Sequence, residues 1–162
     1  MAEEKLNLWY KLIIFTSVPF TQLVSYFMLL TVRPQKELLY VQNKLALSSL
    51  QFLIFQILLV LLYSVISFGV IYLVCSLVLK LSKKGNNEAL FIALSLALSL
   101  ANTADLLALD LFQMTFVWSP ILVQVGVGTF SYYELSARDR RGSIFLFLVM
   151  VLFGVGTLFF NM

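Results

Sequence analysis

From Phe52 to Leu79 the chain runs without a single charged side chain. A helix needs about 20 mainly apolar residues to cross the hydrocarbon core of a bilayer. This run is long enough to span with some tilt. Few folds tolerate such a segment, and most of them sit in lipid.

The rest of the chain agrees. Hydrophobic residues make up 61% and charged residues 12% of the 162 residues, against roughly 45–50% and 25% in soluble domains. So few charges cannot cover the surface of a globule of this size. Mean hydropathy is +0.97. A soluble enzyme, a nucleic-acid-binding domain and a disordered tail are all excluded on these grounds. The expected class is an all-α polytopic transmembrane helical bundle forming a single domain.

Apolar runs predict five spans, at residues 12–32, 52–79, 88–108, 112–133 and 143–160. Pro19 falls in the first half of the first span and is expected to kink it, which neighbouring helices in a bundle can accommodate. Arg33-Pro34 ends that span, because the residue before a proline disfavours the helical region. Residues 35–50 alternate Lys36, Glu37, Gln42, Asn43 and Lys44 with Leu38, Leu39, Val41, Leu45 and Leu47. This spacing predicts an interfacial helix lying along the membrane, or an extramembrane start to the second span. Gly85-Asn86-Asn87 signals a turn, and Asp105 with Asp110 is expected to bracket a tight connection. The opening Met1-Ala-Glu-Glu-Lys5 and the lack of an Ala-x-Ala pattern predict that the first helix is retained, not cleaved as a signal peptide.

The placement of charge gives an expected orientation. Lys5, Lys11, Lys80, Lys83, Lys84, Arg138, Arg140 and Arg141 fall on the side of the N-terminus and of the second and fourth loops. Only Arg33, Lys36 and Lys44 fall opposite, out of 11 Lys and Arg in all. The positive-inside rule then places the N-terminus in the cytosol and the C-terminus outside. The same Lys80, Lys83, Lys84, Arg138, Arg140 and Arg141 are candidates for binding anionic lipid headgroups, beside plain topological anchoring.

The chemistry-bearing residues are sparse. Histidine is absent, which removes the commonest general base and metal ligand. Cys75 is the only cysteine and reads as a small buried hydrophobe. No nucleophile–base pair, metal-ligand spacing or acidic cluster is present in the sequence, so neither an enzyme nor a cofactor is expected. Ala89, Ala93, Ala97, Ala101 and Asp105 recur every four residues of the third span, and small residues at this spacing let helices approach closely in lipid. Ala93, Ala97, Ala101, Gly126 and Gly128 are the candidate packing positions, either within the bundle or against a substrate path or a partner helix. Asn102 and Asp105 form the candidate polar site. They either solvate the turn, hold a cation or proton, or bond to Gln113 or Gln22. Gln22, Gln56, Ser64, Ser67, Gln113 and Gln124 read as cross-helix hydrogen-bonding groups. Trp9, Tyr10, Trp118, Tyr132 and Tyr133 read as interfacial anchors, with Trp118 and Pro120 also marking a bend.

The basic link Lys83-Lys84-Gly85-Asn86-Asn87 leads into an Ala/Leu/Ser-rich helix. Phe116-Val117-Trp118-Ser119, a Gly-containing helix and the polar link Ser136-Ala137-Arg138 follow. With five helices and short loops, this pattern resembles the Yip family, the Ypt/Rab-interacting membrane proteins, in a prokaryotic-type form. It departs from the eukaryotic pattern in having no Asp-Leu-Tyr-Gly-Pro-type motif, and no functional residue carries over. The resemblance implies a non-enzymatic accessory or scaffold protein associated with a transporter or trafficking complex. The expected partners are membrane lipids and another integral membrane protein, not nucleic acid, and a homo-oligomer stays open. The absence of an Asn-x-Ser/Thr sequon favours a prokaryotic plasma membrane over an organelle. Two other readings remain: a small oligomeric transporter or channel using Asn102 and Asp105, and a structural subunit of a large membrane complex.

Overall fold

A computed structural model describes residues 7–32, 36–81, 85–112 and 118–161. The chain is all-α: α1 (Leu8–Val32), α2 (Lys36–Lys44), α3 (Ser49–Leu81), α4 (Asn87–Phe112), α5 (Trp118–Leu135) and α6 (Arg140–Asn161). There is no strand among the described residues. Three helices, over Leu8–Thr31, Ser49–Lys80 and Asn87–Ala108, are long and apolar enough to cross a membrane. The 33 residues of α3 extend about 50 Å, well past a hydrocarbon core of ~30 Å, while a helix as short as α5 covers only about 27 Å.

Polar caps, more than apolar runs, set the helix ends. Ser48 and Gln51 form a reciprocal capping box. The Gln51 backbone N–H donates to Ser48 Oγ at 3.4 Å, and the Ser48 N–H donates to Gln51 Oε1 at 3.0 Å, so α3 starts ahead of the expected residue 52. Asn86 Oδ1 accepts the N–H groups of Glu88 and Ala89 at 2.9 and 3.1 Å and starts α4. Asp139 Oδ1 accepts the Gly142 N–H at 3.1 Å and starts α6. Each satisfies N–H donors that a helix start leaves free. Pro19 lies inside α1, which stays helical on both sides of it.

Two expectations about local structure are corrected. The connection bracketed by Asp105 and Asp110 is helical, because α4 continues through both to Phe112. Residues 113–117 lie outside the described residues. Phe112 accordingly belongs to α4 and not to the helix that follows, and Pro120 lies in the first turn of α5, where its missing N–H costs no helical bond.

Cross-helix contacts fix the directions of the long helices. Lys11 meets Glu88, Ser17 meets Ser99 and Ser25 meets Asn102, so α1 and α4 run parallel. Asn86 meets Tyr132, and Gly128 approaches Ala97, so α5 returns along α4. Ile121 faces Gly154 and Gly128 faces Met150, so α6 runs against α5. Phe15 of α1 meets Phe68 of α3, whereas the later Gln22 and Tyr26 lie beside the earlier Phe52 and Gln56, so this pair is antiparallel. The starts of α1, α4 and α6 and the ends of α3 and α5 therefore share one end of the bundle.

Helix α4 is central, packed against α1, α3 and α5. Its Leu90, Ala93, Leu94, Ala97 and Ser95 are fully buried. Phe15, Phe68 and Phe91 join α1, α3 and α4 through edge contacts at 4.9 Å (Phe15–Phe68) and 5.4 Å (Phe68–Phe91), each such pair adding about 0.5–1.5 kcal/mol beyond area burial. Outward, α3 presents Leu58, Leu62, Ile66 and Leu73. A surface this apolar is the ordinary lipid-facing wall of a membrane helix.

Candidate functional site

The polar residues of α1 and α4 form one seam. Ser17, Thr21 and Ser25 recur every four residues and so share a face of α1. Ser17 Oγ and Ser99 Oγ share a hydrogen bond at 2.8 Å. Asn102 Nδ2 donates to Thr21 Oγ1 at 3.2 Å, and Ser25 Oγ donates to the Asn102 carbonyl at 3.0 Å. Lys11 Nζ closes the seam at its end by donating to Glu88 Oε1 at 2.5 Å. Hydroxyls and amides buried between helices are costly unless paired, and here they pair with each other.

The candidate polar site is divided by this arrangement. Asn102 spends its amide on α1, while Asp105, one turn further on, is half-buried and makes no hydrogen bond or ion pair among the described residues. Of the alternatives for Asp105, a bond to Gln22 does not form; Gln22 lines a cavity between α1, α2 and α3 instead. Gln113 lies outside the described residues.

Ala93, Ala97 and Ala101 are buried inside the bundle. Gly128 lies against them: a Cβ there would stand 3.3 Å from Ala97 Cβ and 2.6 Å from Met150 Cε. The small-residue face is thus closed by the chain's own helices and is unavailable to a partner. Gly126 packs on no other helix among the described residues, since a Cβ there would meet nothing within 4 Å. It helps form an open groove between α5 and α6, with Thr129, Phe130, Arg140 and Phe147. Thr129 Oγ1 is buried there without a hydrogen-bond partner among the described residues.

Of the basic residues, Lys80, Arg138, Arg140 and Arg141 are exposed at the shared end of the bundle. Lys83 and Lys84 lie outside the described residues. Tyr132, read from sequence as an interfacial anchor, is instead fully buried. Its hydroxyl accepts the Asn86 N–H at 3.3 Å and ties the end of α5 to the start of α4. Trp9, Tyr10 and Trp118 are exposed, as an interfacial position requires.

The feature that single-residue reading missed is a cavity of about 380 Å³ between α1, α2 and α3. Its walls are apolar except for Gln22, Gln56 and two tyrosines. The two glutamines are visible in the sequence but lie far apart in it, so nothing there signals that they face one space.

The architecture defines an all-helical protein with at least three helices of membrane-crossing length. No family model, no curated protein and no solved structure matches the chain.

Proposed function

We propose that this chain is a five-span integral membrane protein of the prokaryotic Yip type, with its N-terminus in the cytosol and its C-terminus outside. It serves as a non-enzymatic accessory or scaffold subunit for another membrane protein of a transport or trafficking complex. The alternating helix directions support the topology, because they gather Lys11, Lys80, Arg138, Arg140 and Arg141 at one end. That end faces the cytosol under the positive-inside rule and anionic lipid headgroups surround it.

The observation that carries the accessory reading is the self-pairing of the seam. Ser17, Thr21, Ser25, Ser99 and Asn102 bond across α1 and α4, which leaves them a structural task. The α5–α6 groove at Gly126 is then the thin place where a partner helix seats. A native pull-down in mild detergent tests this. A stoichiometric membrane partner is expected, lost from Gly126→Leu but kept by Gly128→Ala. A lone stable monomer, or a homo-oligomer indifferent to Gly126→Leu, contradicts it.

One observation favours a second reading, a small oligomeric transporter. Asp105 is half-buried with no partner among the described residues, and intramembrane carboxylates usually mark ion or proton paths. Under this reading Asp105→Asn abolishes flux in liposomes at unchanged expression, whereas a scaffold tolerates it.

A further inference from the structure

The cavity between α1, α2 and α3 carries an assignment that the scaffold reading does not use. Gln56 is 9% exposed, faces the cavity and makes no hydrogen bond with any described residue. Gln22 faces the same space from α1, also unpaired among the described residues. Each amide offers two donors and an acceptor, and both line the cavity, where they are free to bond a polar group that enters it. No charged side chain is among the described residues lining the cavity. α2 forms one wall through Leu38 and Val41 but packs extensively against no other helix among the described residues. Its apolar face is thus set over an open space at the end of the bundle away from Lys11 and Lys80. A volume of about 380 Å³ lies within the ~300–1,000 Å³ of small-molecule sites.

We propose that this cavity binds a single-chain neutral lipid, its aliphatic chain between α1 and α3 under α2 and its uncharged hydroxyl head held by Gln22 and Gln56. A hydroxyl is at once donor and acceptor, so it can accept from one amide N–H while donating to the other amide's carbonyl. A carboxylate or phosphate head would bury a charge with no cation among the described lining residues, which is strongly unfavourable. The chain replaces what α2 otherwise lacks, an apolar surface beneath Leu38 and Val41.

The full-length protein is reconstituted in phosphatidylcholine vesicles with a diazirine-bearing hexadecanol, irradiated, and the labelled residues are mapped by mass spectrometry. A diazirine-bearing hexadecanoic acid serves as the charged comparison. Labelling is expected at the cavity positions of α1 and α3, such as Tyr26, and is displaced by excess unlabelled hexadecanol. The acid labels these positions less. Gln56→Leu and Gln22→Leu each lower labelling by the alcohol about threefold to tenfold, the loss of one hydrogen bond. Val60→Trp, which fills the cavity from α3, lowers it more. Labelling that is not displaced by unlabelled hexadecanol in the wild-type protein overturns the assignment, whatever the variants do. So does labelling as strong at the outward Leu62 and Leu73 as inside, which is ordinary contact with bulk lipid. The inference needs only that the bundle sits in a membrane, so failure to find a protein partner leaves it standing.

Discussion

At the scale of single residues, Gly126 and Gly128 behave oppositely because two positions on a helix are separated by about 200°. Only one of a Gly-x-Gly pair can face a given neighbour, and the sequence does not say which. Gly154 resolves the same way. A Cβ there would lie 2.5 Å from Ile121 Cγ2, whereas at Gly156 it would meet nothing within 4 Å. Gly154→Ala is therefore expected to lower the midpoint of thermal unfolding in detergent, at a cost of about 1–3 kcal/mol for overpacking. Gly126→Ala, measured in the same way, should leave stability unchanged or raise it by up to about 1 kcal/mol, the difference in helix propensity. Backbone strain is a second residue-scale feature. After α5, Ala137 and Arg138 adopt φ values of 53° and 65°, and the Arg138 N–H bonds the Tyr133 carbonyl at 2.9 Å. This is a helix stop that glycine favours. Ala137→Gly is expected to raise stability by about 1 kcal/mol, since an L residue in this region costs roughly 1–2. An unchanged unfolding midpoint would show that the strain is absent.

Individual helices were legible where an apolar run defines them and illegible at their ends. Hydropathy alone puts residues 52–79 in one helix, but Ser48 and Gln51 set its start. Both are polar, so they fall outside any apolar window. Trp9, Tyr10 and Lys11 likewise fall ahead of the apolar run that marks the first span, yet they belong to α1, because a helix continues past the lipid boundary when nothing stops it. The largest miss was the end of α4, where two aspartates suggested a turn that the backbone does not make. The caps give a direct check. Asn86→Ala removes an acceptor for two N–H groups and should destabilise α4 by about 1 kcal/mol. Faster amide exchange would be confined to the first turn of α4, at Glu88 and Ala89. Uniformly faster exchange along the helix would mean that Asn86 holds the tertiary packing instead.

For the whole molecule, one pattern unites charge and packing. Short connections force neighbouring helices to reverse direction, and reversal sorts the loops alternately to two ends. The alternation was legible from charge placement, since Lys and Arg concentrate on one side of the predicted layout. Which helices touch was not, because the Ser17, Thr21 and Ser25 stripe pairs with α4, some eighty residues on in the sequence. Neither the cavity nor its two glutamines follows from hydropathy for the same reason: both arise only when α1, α2 and α3 come together.

The five-span, cytosolic-N-terminus topology underlies the proposed function, and cysteine accessibility tests it most directly. Cys75 is buried, and Cys75→Ser provides the background. Asn43→Cys, Ser82→Cys, Thr115→Cys, Glu134→Cys and Asn161→Cys are then introduced one at a time and probed with a membrane-impermeant maleimide in intact cells and after permeabilisation. The expected result is labelling of positions 43, 115 and 161 in intact cells, and of 82 and 134 only after permeabilisation. Labelling of position 134 in intact cells, or of position 115 or 161 only after permeabilisation, would contradict the topology.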